Sequence, residues 1–148
     1  MAEIKGGEKF KAVLHSMESK LEGLPTVKVG FMENSTYPDG TSVPMVAALN
    51  EFGVPSKGQP PRPFFRRMVR DKGPTWPAGV ATQLKDTDYN VPLTLQRVGQ
   101  GIKGQLQASI RDLTDPPLAP STIARKGFSK PLIDTGVMLN SVDYEVDV

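Results

Sequence analysis

The sequence has no cysteine and only one histidine, His15. Without thiols there is no thiolate nucleophile, no Cys-ligated zinc, no iron–sulfur cluster and no disulfide. One imidazole cannot build a two-His metal site within a chain, and any Ser-His-Asp site has to use His15. No run approaches the roughly 18 consecutive apolar residues of a membrane span. The opening residues, MAEIKGGEKFKAV, lack the apolar core of a secretory signal, so the product is expected to stay in the cytosol of the cell that makes it. A dominant charge is missing too. The 18 basic and 16 acidic residues leave a formal net charge of +2, too balanced for holding nucleic acid by overall charge alone.

Turn formers, by contrast, are abundant. The chain has 148 residues, 14 of them Gly and 14 Pro, above the average usage of about 7% and 5%. Its length suits a single domain spanning residues 1–148, large enough to bury a core without covalent help. No repeat, linker or composition shift divides it.

Hydrophobic periodicity orders the elements. In residues 8–24, Phe10, Val13, Leu14, Met17 and Leu21 fall on one helical face, and Gly23 and Pro25 end the pattern. In residues 26–32, Val27, Val29 and Phe31 alternate with Thr26, Lys28 and Gly30, as in a half-buried strand. Residues 33–44 read as an exposed loop around Pro38-Asp39-Gly40. A short helix over 44–52 presents Val46, Leu49 and Phe52 as its apolar edge, and the prolines of 54–63 exclude a helix or central strand. Residues 64–72 are helical by pattern, after which Pro74 and Pro77 interrupt.

The longest periodic segment is 91–113, with Leu95, Val98, Ile102, Leu106, Ile110 and Leu113 at helical spacing. A short helix capped by Ser121 is expected at 121–126. A strand is expected over 139–148, where Val142, Tyr144, Val146 and Val148 alternate with three acids. The fold class is therefore α+β: a small antiparallel or mixed sheet packed by helices, with long Pro/Gly-rich loops. Two strands are too few for a stable isolated sheet. Either residues 37–43 add strands, or neighbouring subunits complete the edges.

Four constellations invite a chemical reading. Gly99, Gly101 and Gly104 match G-x-G-x-x-G, but they lie inside a helical periodicity and not after a strand. Gly101, Gly104 and Ala108 instead form a small-residue stripe that suits close backbone approach. His15 has no nucleophile or orienting carboxylate near it in sequence, so a helix-edge histidine is expected. Asp143, Glu145 and Asp147 share a strand face, which reads as a solvated or partner-facing acidic edge more readily than as a cation site. Arg62, Arg66, Arg67, Arg70 and Lys72 flank Phe64 and Phe65. That segment suits nucleic-acid contact, a solvated helix face, or a basic interface meeting the acidic C-terminal strand of a second subunit. The interface candidates are thus Arg62, Phe64, Phe65, Arg66, Arg67, Arg70, Asp143, Glu145 and Asp147. No catalytic residue, cofactor or metal is expected.

Two blocks carry a resemblance. The first is Ala47-Ala48-Leu49-Asn50-Glu51-Phe52-Gly53 followed by Pro60-Pro61-Arg62-Pro63-Phe64-Phe65. The second is LAPSTIARKG from Leu118, followed by KPLIDTGVMLNSV from Lys130. In this order and spacing they resemble the neck and tail-completion morphogenesis proteins of tailed bacteriophages. The resemblance covers about a quarter of the chain. It implies a structural virion protein without a catalytic centre, assembled as a ring between portal complex and tail. A hexamer is favoured from tail symmetry and a dodecamer fits the portal side. The implied neighbours are neck, portal-side and tail-tube or tail-terminator proteins, with packaged DNA close by and no membrane. A minor tail or head-closure component is the nearest alternative, and a small nucleic-acid-binding protein is the alternative from another class.

Overall fold

The computed structural model describes residues 7–21, 23–116 and 136–148. The helix expected at 121–126 and the capping roles expected of Asp134 or Thr135 lie outside them.

Helix α1 spans Gly7–Leu21 and strand β1 spans Thr26–Phe31. Helix α2 (Val43–Phe52) begins where Ser42 Oγ accepts the Met45 amide at 3.3 Å. Pro44 occupies its first turn, where a missing N–H costs nothing. A 3-10 turn, Pro55–Lys57, follows. Helix α3 (Phe64–Lys72) runs through a second 3-10 turn, Gly73–Thr75, into α4 (Trp76–Asp86). Helix α5 (Val91–Asp112) opens with Asn90 Oδ1 accepting the Leu93 amide at 3.0 Å. The four-residue helix α6 (Val137–Asn140) leads into strand β2 (Val142–Asp147).

β1 and β2 pair antiparallel, in a register that sets Val27 against Val146, Val29 against Tyr144 and Phe31 against Val142. That period-two alternation turns the apolar residues of both strands to one face, and α5 crosses there. Gly99 makes the crossing possible. A Cβ at this position would stand 2.5 Å from Tyr144 Cδ2 and 2.9 Å from Val27 Cγ2.

The core joins α2, α3, α5, α6 and β2 through Val43, Ala47, Phe64, Met68, Leu106, Ile110, Met138 and Val142, all buried. Phe31 meets Phe64 edge-on, with ring centroids 6.1 Å apart. Two polar contacts fix α5 against its neighbours. Ser109 Oγ donates to the Phe64 carbonyl at 2.6 Å, and Trp76 Nε1 donates to Gln105 Oε1 at 2.8 Å.

The α+β class, with a small antiparallel sheet packed by helices, is what the structure shows. Several expectations need correction. Residues 37–43 add no strand; only a single bridge, Thr36 to Ser42, forms there. Pro74 and Pro77 do not interrupt the helical path, because each falls in the first turn of its own helix. The strand expected from 139 starts at Val142, since α6 takes up 137–140. Two of the three residues expected on the apolar edge of α2 also face outward, while the third, Val46, is half-buried. Val43, Ala47 and Glu51 are its buried face, whereas Leu49 and Phe52 point outward together with Met45.

Candidate interaction surface

The two halves of the first sequence block fold into one braced unit. Helix α3 begins after Pro63, which offers no capping side chain, so the first amides of α3 need an acceptor from elsewhere. Glu51 supplies it from the end of α2. Its Oε2 accepts the Phe65 amide at 2.9 Å, and its Oε1 accepts the Arg66 amide at 3.2 Å and Arg66 Nε at 2.7 Å. Arg66 Nη2 also donates to the Glu51 carbonyl at 3.1 Å. A carboxylate at a helix N-terminus is favoured by the helix dipole as well.

Between the two halves the chain must turn back tightly. Gly53 does this at φ 73°, and a Cβ there would lie 2.6 Å from Pro61 N and 2.8 Å from Gln59 O. The Arg62 amide then returns to the Asn50 carbonyl at 2.7 Å. Glu51 was absent from the sequence-derived candidates. The signal for it was a helix starting behind a proline with no Ser, Thr, Asp or Asn beside it.

Orienting α2 in this way leaves large apolar side chains in water. Met45 is 53% exposed, Leu49 43% and Phe52 59%. They lie at i, i+4 and i+7, one stripe of the helix. The Arg66 guanidinium covers part of it, 5.1 Å from the Phe52 ring centroid. Val13 and Leu14 on α1 are similarly exposed, and α1 has no extensive interface with another element among the described residues.

The basic candidates separate on inspection. Phe64 is core, not surface, and Phe65 packs half-buried against that core. Arg66 is held by Glu51, Arg70 pairs with Asp71 at 2.8 Å, and Arg67 reaches Asp115 at 3.9 Å. The Asp71 contact raises the Arg70 guanidinium and lowers the Asp71 carboxyl relative to their ordinary values. Arg62 differs from the other three. Its side chain is buried, its Nε has no hydrogen-bond partner, and no ion pair to it forms among the described residues. Burial alone pushes its pKa down.

The acidic candidates divide in the same way. Asp143, Glu145 and Asp147 all lie on the sheet face opposite the apolar one. Asp143 accepts Lys103 Nζ at 3.3 Å, and Asp147 pairs with Lys28 at 2.9 Å. The Tyr144 amide and then Lys103 hold the Asp143 carboxyl below the usual carboxylate range. Glu145 stands opposite Lys28 in the register but forms no ion pair among the described residues. No group of three His, Asp or Glu among those residues could hold a metal ion.

The expected small-residue stripe is open. Among the described residues nothing lies within 4 Å of a Cβ placed at Gly101 or Gly104. Both border a groove of about 540 Å³ between α3 and α5, whose walls include Met68, Lys72, Ala108 and Asp112. Close approach occurs at Gly99 instead.

No described helix is long and apolar enough to cross a membrane. Comparison with known proteins gives no match to any family model, curated protein or solved structure.

Proposed function

We propose that the chain is a structural virion protein of a tailed bacteriophage, acting without catalysis or cofactor as a ring-forming adaptor at the head–tail junction. The observation that carries the assembly part is helix α2, which buries Glu51 and turns Met45, Leu49 and Phe52 to solvent. A contiguous exposed apolar stripe marks a protein contact more often than a free surface. The outer edges of the two-stranded sheet support the same reading, since among the described residues neither has a partner. Distinct basic and acidic elements suit head-to-tail contact, which closes into a ring when the rotation permits. The setting comes from the two sequence blocks and their resemblance to neck and tail-completion proteins. The same resemblance favours six copies, with neck, portal-side and tail-tube or tail-terminator proteins as neighbours.

Cryo-EM of assembled particles tests this. The expected result is density for this chain in a cyclic ring on the head–tail axis. Density in a minor tail or capsid-proximal position, or no density in the virion, overturns it. Nucleic-acid binding is the weaker reading, because Arg66, Arg67 and Arg70 already face carboxylates of their own chain. A salt titration with duplex DNA checks it, and a steep loss of binding with rising salt is the signature it requires.

A further inference from the structure

Arg62 is 7% exposed, and its Nε is sealed from water without a hydrogen-bond partner. A guanidinium cannot discard its charge near neutral pH. A buried guanidinium nitrogen left without an acceptor is costly, and it calls for a partner to account for it. Every other arginine of the 62–70 segment has a carboxylate in the same chain: Glu51 for Arg66, Asp115 for Arg67 and Asp71 for Arg70. On the acidic strand face, Lys103 neutralises Asp143 and Lys28 neutralises Asp147. Among the described residues, Arg62, Lys72 and Glu145 are the members of the two constellations left without an ion pair, and of the two cations Lys72 is exposed and only Arg62 is buried.

We propose that the buried cation and the unpaired carboxylate meet between copies: Glu145 on the outer sheet face of one subunit supplies the missing carboxylate to Arg62 at the α2–α3 junction of the next. The proposal rests on the reading of the chain as a homo-oligomer and names the contact that sets its register. Several features favour a second copy as the occupant. The buried cation and the unpaired carboxylate are complementary in sign. Glu145 is presented exposed on a strand face, so it can be offered to a neighbour without unfolding its own strand. Arg62 and Glu145 lie on separate elements, the α2–α3 junction and β2, so one copy can offer both ends of a head-to-tail contact. Arg62 also follows the exposed stripe of α2 in the same braced unit, so the docking neighbour can cover apolar and charged groups together. A guanidinium takes a carboxylate bidentately, which fixes orientation as well as affinity.

A charge exchange tests it, using the full-length chain in sedimentation velocity over a concentration series. Wild type is expected to self-associate. Glu145→Arg and Arg62→Glu are each expected to weaken association at least tenfold. The Arg62→Glu/Glu145→Arg double variant, and the equimolar mixture of the two single variants, are expected to recover most of it. Circular dichroism establishes that each variant is folded. If Arg62→Glu does not fold, the exposed Glu145 position decides, with Glu145→Gln expected to fall between wild type and Glu145→Arg.

Self-association unchanged by Glu145→Arg overturns this contact and leaves the ring reading standing. Wild type that remains monomeric at the highest concentration reached overturns the contact as well, and the ring reading then stands or falls on the cryo-EM density alone. Unchanged association together with duplex DNA binding that Arg62→Gln abolishes would assign the site to phosphate instead, and would overturn the proposal.

Discussion

The α2–α3 junction and the outer face of the sheet both set acids against bases, in opposite surroundings. At the junction, the Glu51 side chain is 7% exposed and receives two backbone amides as well as Arg66. On the sheet face, Lys28 and Asp147 are 67% and 50% exposed, and Asp143 is 54% exposed beside Lys103. The Coulomb attraction is nominally the same, but water screens the second set on both sides and the first only from the side of Arg66, which is 57% exposed. The junction pair also ties two helices together through their backbones, whereas the sheet pairs decorate strands already held by their ladder. Charge in this protein is architectural where it is buried and tunable where it is not.

The most severe way to break that contrast is Glu51→Ala. It strands the Phe65 and Arg66 amides at the start of α3 and leaves Arg66 without its carboxylate. A loss of about 3 kcal/mol in unfolding free energy is expected, read from the urea midpoint at unchanged slope. Asp147→Ala, measured alongside, should cost under about 1 kcal/mol. Equal losses would show that the two regions are not distinct.

Much of the junction is legible in sequence, and its key residue is legible only indirectly, as a start of α3 behind Pro63 that lacks a cap of its own. The end of α2 at Phe52 follows from Gly53, and the span of α3 to Lys72 follows from apolar spacing. Periodicity assigns faces by counting apolar residues, however. It therefore placed Leu49 and Phe52 inside, because nothing local indicates that Glu51 is needed as a cap fourteen residues away. The α4 helix was missed for a related reason. Pro74 and Pro77 break a helix only when they fall inside one, and both fall in first turns. The strand face was easier, since a period of two assigns every side chain once the strand exists. The reading of Asp143, Glu145 and Asp147 as one outward row therefore survives intact. Which of these acids already has a cation depends on tertiary contacts such as Lys103 to Asp143, forty residues apart.

Glycine substitutions sharpen the same comparison, with opposite signs. Gly53 at the junction sits at φ 73°, hemmed in by the backbone of 59–61. Alanine there combines a disfavoured conformation with a backbone clash, and about 2 kcal/mol of destabilisation is expected. Gly30 pairs with Asp143 in the sheet, and among the described residues nothing lies within 4 Å of where a Cβ would stand. Alanine there should stabilise by about 0.5 kcal/mol, through the entropy a glycine loses in a strand. Thermal melting of the two variants against wild type gives both signs in one experiment. A stabilising Gly53→Ala would mean that the turn relaxes and the junction is less rigid than its hydrogen bonds indicate.

The smallest expected effect is the pH response of the sheet face. The folded chain holds the Asp143 carboxyl below its ordinary value of 3.8, first through the Tyr144 amide and then through Lys103. A carboxyl depressed by folding binds fewer protons in the folded state than in the unfolded one near that pH. Its contribution is therefore complete above the ordinary value and fades as pH falls through the folded value. Because Asp143 is more than half exposed, that contribution stays below about 1 kcal/mol. Asp143→Ala is thus expected to lower stability slightly and evenly from neutral pH to about 5. The gap to wild type should then close as pH drops below 3.8. Lys103→Met should remove only the lesser part, because the amide contact remains. If instead Lys103→Met reproduces the whole Asp143→Ala profile, the cross-element ion pair governs this carboxyl, and the sheet face is braced to α5 more firmly than its exposure implies.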